Sequence, residues 1–411
     1  MLLYNLIYPF LASLVQAISP LMSPSFQAWV ATRQKMRSVL PLFAKNDLSQ
    51  KNILFHASSG EIEYVKSLIR ELAQSKKYKI FVTYSSPSAE KLFTNISDCV
   101  KQFVPLGWDT TSDNSLLLDC LKPDLVIFSR TDFWPNLIQL INLKNIPFGV
   151  VSLYPRWNRL SKFWIKFNLS QARFLTCVSD DLTEKLKQLL PTIPIIKHLN
   201  DTRFDQVQHR LSQPEKITLT SKKPIICFGS TWPEDEIILK AVTPEILNKN
   251  YNIVWATHDI KDAVFLCEEL RAKNYKIKLT SSSENKVFNF ESDDFEVLIL
   301  DEIGLLADVY RFSKIAFVGG SFVSKVHSVM EPLCALNPVI VGPFYENNPE
   351  AVQFVKLNSV FSVTSAEQFL KTFNELAQST HILRSQIAAN IKPFYGSTQQ
   401  HIALINSQLL S

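Results

Sequence analysis

No CxxC pair occurs among the six cysteines, at positions 99, 120, 177, 227, 267 and 334, and most lie in apolar runs such as Ile225-Ile226-Cys227-Phe228. That pattern excludes a disulfide framework and describes buried free thiols in a reducing compartment. No cluster of His, Cys, Asp or Glu has metal-ligand spacing, so neither a structural zinc, a required divalent ion nor any other cofactor is expected. No run completes GxGxxG or GxxxxGK[ST], and Ser58-Ser59-Gly60 does not form a GxSxG nucleophile elbow, which argues against dinucleotide, P-loop and serine-hydrolase chemistry. Charge of one sign is also scarce: 43 Lys and Arg against 38 Asp and Glu leave a dispersed +5. Nucleic acid is therefore not an expected partner, whereas an anionic lipid or a phosphorylated substrate is. Low-complexity segments and short-period repeats are absent as well.

The first 32 residues carry no charged side chain, and Arg33, Lys35, Arg37 and Lys45 then precede the first acid, Asp47. This asymmetry predicts contact with a membrane surface through residues 1–45, the basic cluster lying on the cytoplasmic side. Leu2 to Met22 is apolar, but Pro9 and Pro20 weaken a straight span and Asn5 and Gln16 add polar cost, so a helix lying on the bilayer is favoured over one crossing it. A cleaved signal peptide is disfavoured, because no basic residue precedes the apolar run and no clear cleavage site follows. A buried N-terminal core helix is the alternative.

What 411 residues, 46% of them hydrophobic, do provide is material for two domains. Strand-like runs at 52–56, 79–83, 125–128, 148–152 and 174–178 alternate with helical patterns. A polar stretch at 206–223 follows, and strands resume at 225–228, 253–256, 297–300, 315–318 and 339–341. This alternation predicts doubly wound parallel sheets with ligands at the carboxyl ends of their strands. The expected organisation is an anchor over 1–45, a first Rossmann-like domain over 46–205, a linker over 206–223, a second such domain over 224–385 and a C-terminal helix over 386–411 that crosses back. Two α/β domains in tandem predict a cleft between them.

Glu61 follows a strand and the Ser58-Ser59-Gly60 turn, on what reads as the first turn of a helix. A carboxylate there is placed to serve as a general base, or simply to complement the helix dipole. Asp132, in Arg130-Thr131-Asp132-Phe133-Trp134-Pro135-Asn136, follows the next core strand and either orients an acceptor or caps the following helix. Arg203, in Asp201-Thr202-Arg203-Phe204-Asp205, precedes the linker; its guanidinium either stabilises a leaving phosphate or forms a surface salt bridge. In the second half, Gly229-Ser230-Thr231 and Gly319-Gly320-Ser321 both follow strands, where backbone amides bind phosphate. With His258 at another strand end and Glu331-Pro332 at a helix start, they outline a nucleotide-sugar pocket, Glu331 suiting a ribose diol or else capping its helix.

His56-Ala57-Ser58-Ser59-Gly60-Glu61, Pro123-Asp124-Leu125 through Asn136, Arg159-Leu160-Ser161, Arg203-Phe204-Asp205, Gly229-Ser230-Thr231 and Phe317-Val318-Gly319-Gly320-Ser321 occur in this order, followed by Glu331-Pro332, Gly342-Pro343, Asn347 and Glu350. The ordered set resembles the Kdo transferases, which add 3-deoxy-D-manno-octulosonic acid (Kdo) to lipid A precursors, and the resemblance spans essentially the whole chain. It implies an α/β GT-B fold of two Rossmann-like domains facing a cleft, with an N-terminal membrane-associated helix. It also implies inverting, metal-independent transfer of Kdo from CMP-Kdo to a lipid A precursor at the cytoplasmic face of the bacterial inner membrane. Carried over by position, Glu61 is the catalytic base, Asp132 matches the second glutamate of a Glu-Thr-Glu-Leu-Trp-Pro segment, and Arg203 matches a transition-state lysine. Ser58, Ser59 and Gly60 fall on the acceptor side. The donor site would draw on Gly229, Ser230, Thr231, Thr257, His258, Gly304, Gly319, Gly320, Ser321, Ser328, Glu331, Asn347 and Glu350.

Departures from the family pattern cluster in the donor half. Arg130 replaces the first glutamate of the segment above, Thr257 stands where an arginine is usual, Leu305 replaces a glutamate, and Val326-His327-Ser328 is one residue short of Gly-Gly-His-Asn. Loss of an arginine beside a phosphate costs about 1.5–3 kcal/mol unless another base, such as Lys325 or Lys261, compensates. These changes leave two alternatives: a catalytically weakened paralogue acting as a membrane-bound binding module, and a GT-B transferase with a different nucleotide sugar.

Overall fold

The structure is a computed structural model that describes residues 2–40 and 50–410. The chain divides into two compact units, Met1–Gln206 with Phe394–Ser411, and Val207–Pro393. Lys45 and Asp47, and the expected boundary at 45–46, lie outside the described residues.

The first unit is built on a seven-stranded sheet of order β3-β2-β1-β4-β5-β6-β7. Its strands are β1 (Lys51–His56), β2 (Tyr78–Tyr84), β3 (Gln102–Pro105), β4 (Leu125–Ser129), β5 (Phe148–Leu153), β6 (Phe174–Cys177) and β7 (Ile195–His198). Every pairing is parallel. Because helices cover both faces, the central strands are apolar along their length: all of β4, β5 and β6 is buried. One core, with Leu54, Val126 and Leu175, lies on one side, and a second, with Phe55, Ile127 and Phe174, on the other.

The second unit repeats the plan. Its sheet, of order β11-β13-β10-β9-β14-β15-β16, is also parallel throughout. After β8 (Thr218–Thr220) come β9 (Ile225–Thr231), β10 (Asn252–Thr257), β11 (Ile277–Leu279), β12 (Val287–Asn289), β13 (Val297–Leu300), β14 (Ile315–Val318), β15 (Val339–Val341) and β16 (Val360–Ser362). β8 and β12 form a separate two-stranded ribbon. The stretch 206–223, polar in sequence, thus holds β8 and most of the helix Arg203–Leu211.

The C-terminal helix Ser397–Leu410 belongs to the first unit, where Ile405 joins its core. Asp205 receives the N–H groups of Gly396 (2.7 Å) and Thr398 (2.6 Å). His401 is fully buried. Its Nδ1 faces the Ser397 carbonyl at 2.8 Å and so carries the proton, leaving Nε2 to accept from the Thr176 hydroxyl at 2.9 Å. Burial holds this imidazole's pKa down to about 4, against the smaller opposing effects of the Ser397 hydrogen bond, Asp201 and Asp205. A histidine depressed on folding contributes stability that is present above its unfolded pKa and lost as pH falls from about 6.5 to 4, amounting to about 3 kcal/mol. Urea unfolding of the wild type is therefore expected to weaken across this window by more than that of His401→Asn. Parallel pH dependences would refute the assignment.

At the N-terminus, the helix Leu2–Ile18 forms with Pro9 inside it. One face docks: Tyr4 donates to Asp109 at 2.9 Å, and Ala12 packs with Val30 and Trp108. The other face leaves Leu6, Phe10 and Leu14 exposed, and Leu21 beyond it is 87% accessible. Among the described residues no helix is long and apolar enough to cross a membrane.

Candidate active site

In a doubly wound sheet the ligand crevice opens where strand order reverses, at the carboxyl ends of the strands flanking that point. In the first unit β1 is flanked by β2 on one side and β4 on the other, so the reversal falls between β1 and β4. Glu61 follows β1; Arg130 and Asp132 follow β4. Glu61 and Ser129 are 68 residues apart in sequence, yet Ser129 Oγ donates to the Glu61 carbonyl at 2.8 Å. That bond has a local consequence. The Glu61 carbonyl is taken by a side chain, Val65 N bonds to Ile62 O at 3.1 Å, and Gly60–Tyr64 winds as a 3₁₀ turn. Glu61 thus stands before the α-helix Lys66–Gln74, not on its first turn as the sequence suggests.

The Glu61 carboxylate is half-buried and accepts the Ser59 N–H at 3.1 Å. A side chain placed at Gly60 would meet nothing within 4 Å, so open ground lies beside it. Ser58 and Ser59 are tied to the loop after β2 through Ser85 (2.5 Å) and Ser88 (2.7 Å).

Asp132 does not cap the following helix Pro135–Leu143. That role falls to Asp109, which accepts the N–H groups of Asn136 (2.9 Å) and Leu137 (3.0 Å). Asp132 instead accepts from His56 Nε2 at 2.8 Å and Trp134 Nε1 at 3.2 Å, while His56 Nδ1 meets the Thr83 hydroxyl at 3.0 Å. Burial pushes the Asp132 carboxyl up, but His56, through hydrogen bond and charge, with Ser58 and Trp134, outweighs it and holds it below the usual carboxylate range. Asp132 is therefore an anion and an acceptor near neutrality. His56, read in sequence only as a strand end, is fully buried at the centre of this network.

Arg203 is ion-paired within its own unit. Its Nε and Nη2 donate to Asp201 Oδ2 at 3.0 and 2.7 Å, and its guanidinium carbon lies 4.0 Å from the Tyr64 ring centroid. Burial raises the Asp201 carboxyl, but the charge and hydrogen bonds of Arg203, with the charge of Arg130, bring it below its ordinary value.

In the second unit the strand order reverses between β9 and β14, and the Gly229-Ser230-Thr231 and Gly319-Gly320-Ser321 runs meet there. A Cβ on Gly319 would lie 2.3 Å from the Ser230 carbonyl oxygen, and Gly320 adopts φ 87°, so glycine is required at both. The buried carboxylate of Asp235 gathers the loop, accepting N–H groups from Trp232 (2.8 Å), Gly320 (2.6 Å) and Phe322 (3.2 Å). Two expected ligand-facing hydroxyls turn inward. Thr231 accepts the Trp255 indole N–H at 2.9 Å, Ser321 bonds Val318 O and Gly342 N, and both residues are buried.

A cavity of about 450 Å³ opens at the ends of β10 and β13, lined by Thr257, His258, Asp259, Glu302, Ile303 and Gly304 among others. The His258 ring stacks against both Trp232 (4.8 Å) and His327 (4.6 Å), whose own ring centroids lie 6.3 Å apart. His327 Nε2 accepts the Trp232 indole N–H at 2.8 Å. Burial, then His258 and Lys325, lower its pKa to about 4, so it is neutral at physiological pH. Asn347 holds both backbone groups of Val326, and Asn348 the His327 carbonyl, which braces the loop. Glu331 is paired with Arg210 at 2.7 Å, Ser328 is exposed, and Glu350 is buried on the first turn of Pro349–Lys356. Thr257 donates to the Asp259 carbonyl at 2.8 Å. Among the described residues no group of three His, Cys, Asp or Glu gathers in a metal-binding arrangement.

The helix Arg159–Leu169 presents Leu160, Phe163, Trp164 and Phe167 to solvent at i, i+3, i+4, i+7 spacing, interleaved with the exposed bases Arg159, Lys162 and Lys166.

Residues 31–206 match the family described as 3-deoxy-D-manno-octulosonic-acid transferase (kdotransferase). The chain is 27% identical over 344 residues to a 3-deoxy-D-manno-octulosonic acid transferase of Haemophilus influenzae, covering 78% of each. With that of Aquifex aeolicus it shares 26% over 326 residues, 78% of this chain and 84% of the relative. A bifunctional glycosyltransferase/methyltransferase of Fusobacterium nucleatum is 24% identical over 365 residues; this chain spans 56% of its length. Among solved structures, the Neisseria meningitidis UDP-GlcNAc 2-epimerase bound to UDP-GlcNAc superposes with a TM-score of 0.60 at 14% identity, covering 88% of this chain and all of the other. A Rickettsia africae glycosyltransferase gives 0.53 at 11%, covering 88% and 99%. These structural likenesses establish the GT-B fold, two parallel α/β units, and no more.

Proposed function

We propose, from the premise that this chain belongs to the Kdo transferase family and is a glycosyltransferase, that it moves Kdo or a close keto-sugar acid from its CMP derivative to a lipid A precursor. The observation that carries this reading is Glu61: a half-buried carboxylate at the strand-order reversal, oriented by Ser59 N–H, beside open ground. Glu61 takes the proton of an acceptor hydroxyl as its oxygen attacks the anomeric carbon. The bond from that carbon to the phosphate oxygen breaks, CMP leaves with the electron pair, and the configuration inverts. Arg203, preset by Asp201, offsets charge on the departing phosphate, and ionised Asp132 positions His56 and the serine turn. The donor rests in the second unit, its base and ribose near Thr257, His258 and Gly304 and its phosphate toward the amides of 229–231 and 319–321. Ser328, Glu331, Asn347 and Glu350 complete or brace that site. No metal or other cofactor takes part.

The exposed apolar face of Leu2–Ile18 supports a helix lying on the cytoplasmic face of the inner membrane, and the aromatic and basic stripe of Arg159–Leu169 suits a lipid acceptor. The test is incubation of the full chain with CMP-Kdo and a tetra-acylated lipid acceptor, with product read by mass spectrometry. Glycosylated lipid and stoichiometric CMP are expected, unchanged by a chelator; no product under conditions where the H. influenzae enzyme is active would defeat the reading. A different nucleotide sugar is the second reading, because the second-unit cavity is lined by Asp259 and by Glu302, itself paired with Lys286 at 2.5 Å, and this lining does not select one nucleobase. Calorimetric titration decides this. Binding of CMP in preference to UDP and GDP is expected, and the reverse preference would move the donor assignment.

A further inference from the structure

Arg130 stands one residue beyond β4 with φ 64°, a left-handed conformation that non-glycine residues seldom occupy and that surrounding structure must enforce. Its backbone N–H bonds Val151 O at 3.0 Å, and its neighbour Ser129 holds the Glu61 carbonyl. The Arg130 guanidinium carbon lies 4.5 Å from the Tyr64 ring centroid and 5.5 Å from that of Tyr154. Arg203 lies 4.0 Å from the same Tyr64 ring. Two cations thus share one phenol three residues from Glu61.

They are not equivalent. Arg203 engages both oxygens of the buried Asp201. Arg130 has no hydrogen-bond or ion-pair partner for its side chain among the described residues, and Asp201 reaches it only through space. Stacking occupies the face of a guanidinium and leaves its in-plane N–H groups for an acceptor, in a fork that matches phosphate or carboxylate. A half-buried, ring-stacked cation is already ordered, so binding an oxyanion requires little further immobilisation.

We propose that Arg130, stacked on Tyr64, binds an oxyanion of the acceptor and thereby sets which hydroxyl reaches Glu61. This rests on the transferase reading: the anion is a phosphate monoester or a sugar carboxylate carried by the molecule that is glycosylated.

The experiment uses the full chain and Arg130→Gln, with Arg130→Lys as a variant that keeps the charge and loses the planar fork. Acceptor binding is measured by calorimetry and transfer by initial rates, for a phosphorylated lipid acceptor, the same lipid dephosphorylated, and a Kdo-bearing acceptor with and without its carboxylate esterified. For the anion-bearing acceptor, Arg130→Gln is expected to raise Kd and KM about 10- to 100-fold, kcat falling less, with Arg130→Lys between. Neutralising the anion that Arg130 binds should bring wild type and Arg130→Gln together, which also identifies that anion as phosphate or carboxylate. Equal affinity of wild type and Arg130→Gln for every anionic acceptor, an equal loss for the neutral ones, or no acceptor binding by the wild type overturns the proposal. Binding without transfer would defeat the transferase reading while still judging Arg130; normal transfer by Arg130→Gln would defeat the Arg130 assignment alone.

Discussion

Glu61→Gln is expected to lower the single-turnover rate of sugar transfer by about 10²- to 10⁴-fold, the usual contribution of a positioned general base. Glutamine keeps the size of the side chain and an oxygen able to accept the Ser59 N–H, so the turn 60–64 should survive. What it cannot do is take a proton. Affinity for CMP should be unchanged, because the proposed donor residues belong to the other unit. A loss of rate with intact CMP titration and intact circular dichroism assigns the effect to chemistry. Unchanged turnover would remove Glu61 from the mechanism, whatever its position.

Asp235→Ala is expected to cost about 3 kcal/mol or more in stability and to weaken CMP binding at the same time. The carboxylate accepts three backbone N–H groups, from Trp232, Gly320 and Phe322, and it is fully buried. Each buried donor left unpaired costs about 1–3 kcal/mol, and a cavity adds to that. Burial pushes this carboxyl's pKa up despite the three donors, so Asp235→Asn, which is neutral and keeps one acceptor, should recover part of the loss. Urea midpoints rank the three proteins, and hydrogen exchange at Gly320 and Phe322 shows whether the loop is released. Wild-type exchange at those amides in Asp235→Ala would contradict this account.

The strands legible in the sequence share one property. β2, β1, β4, β5 and β6 in the first sheet, and β13, β10, β9, β14 and β15 in the second, all lie in the interior of their sheets. Covered on both faces, they are mostly apolar where they are buried, and that leaves a short apolar run to read. The strands the sequence concealed, β3, β7, β11 and β16, are the four sheet edges, and β8 and β12 form the small ribbon. With three or four residues each and partial exposure, they have no run to read.

The site divides in the same manner. Glu61 and Asp132 were visible because each follows an interior strand, and His258 and Gly304 because they do too. Asp109, Asp235 and Trp232 were not visible, and the roles of His56 and His327 were not, since each acts through a partner distant in sequence or through a ring stack. Arg203 looked like a reaching cation, yet its nearest anion, two residues back, was in plain view and engages it.

From its order of residues alone this chain determined two parallel α/β sheets, the ends of their interior strands, and the ordered motifs that resemble the Kdo transferases, because burial on two faces and strand-end turns impose local composition. Tertiary structure alone decided which carboxylate is held ionised, which hydroxyls turn into the core, and which arginine keeps its hydrogen-bonding fork unengaged. Those outcomes depend on burial and on partners brought together from 21 to 76 residues apart, and neither quantity is written in any local stretch of sequence.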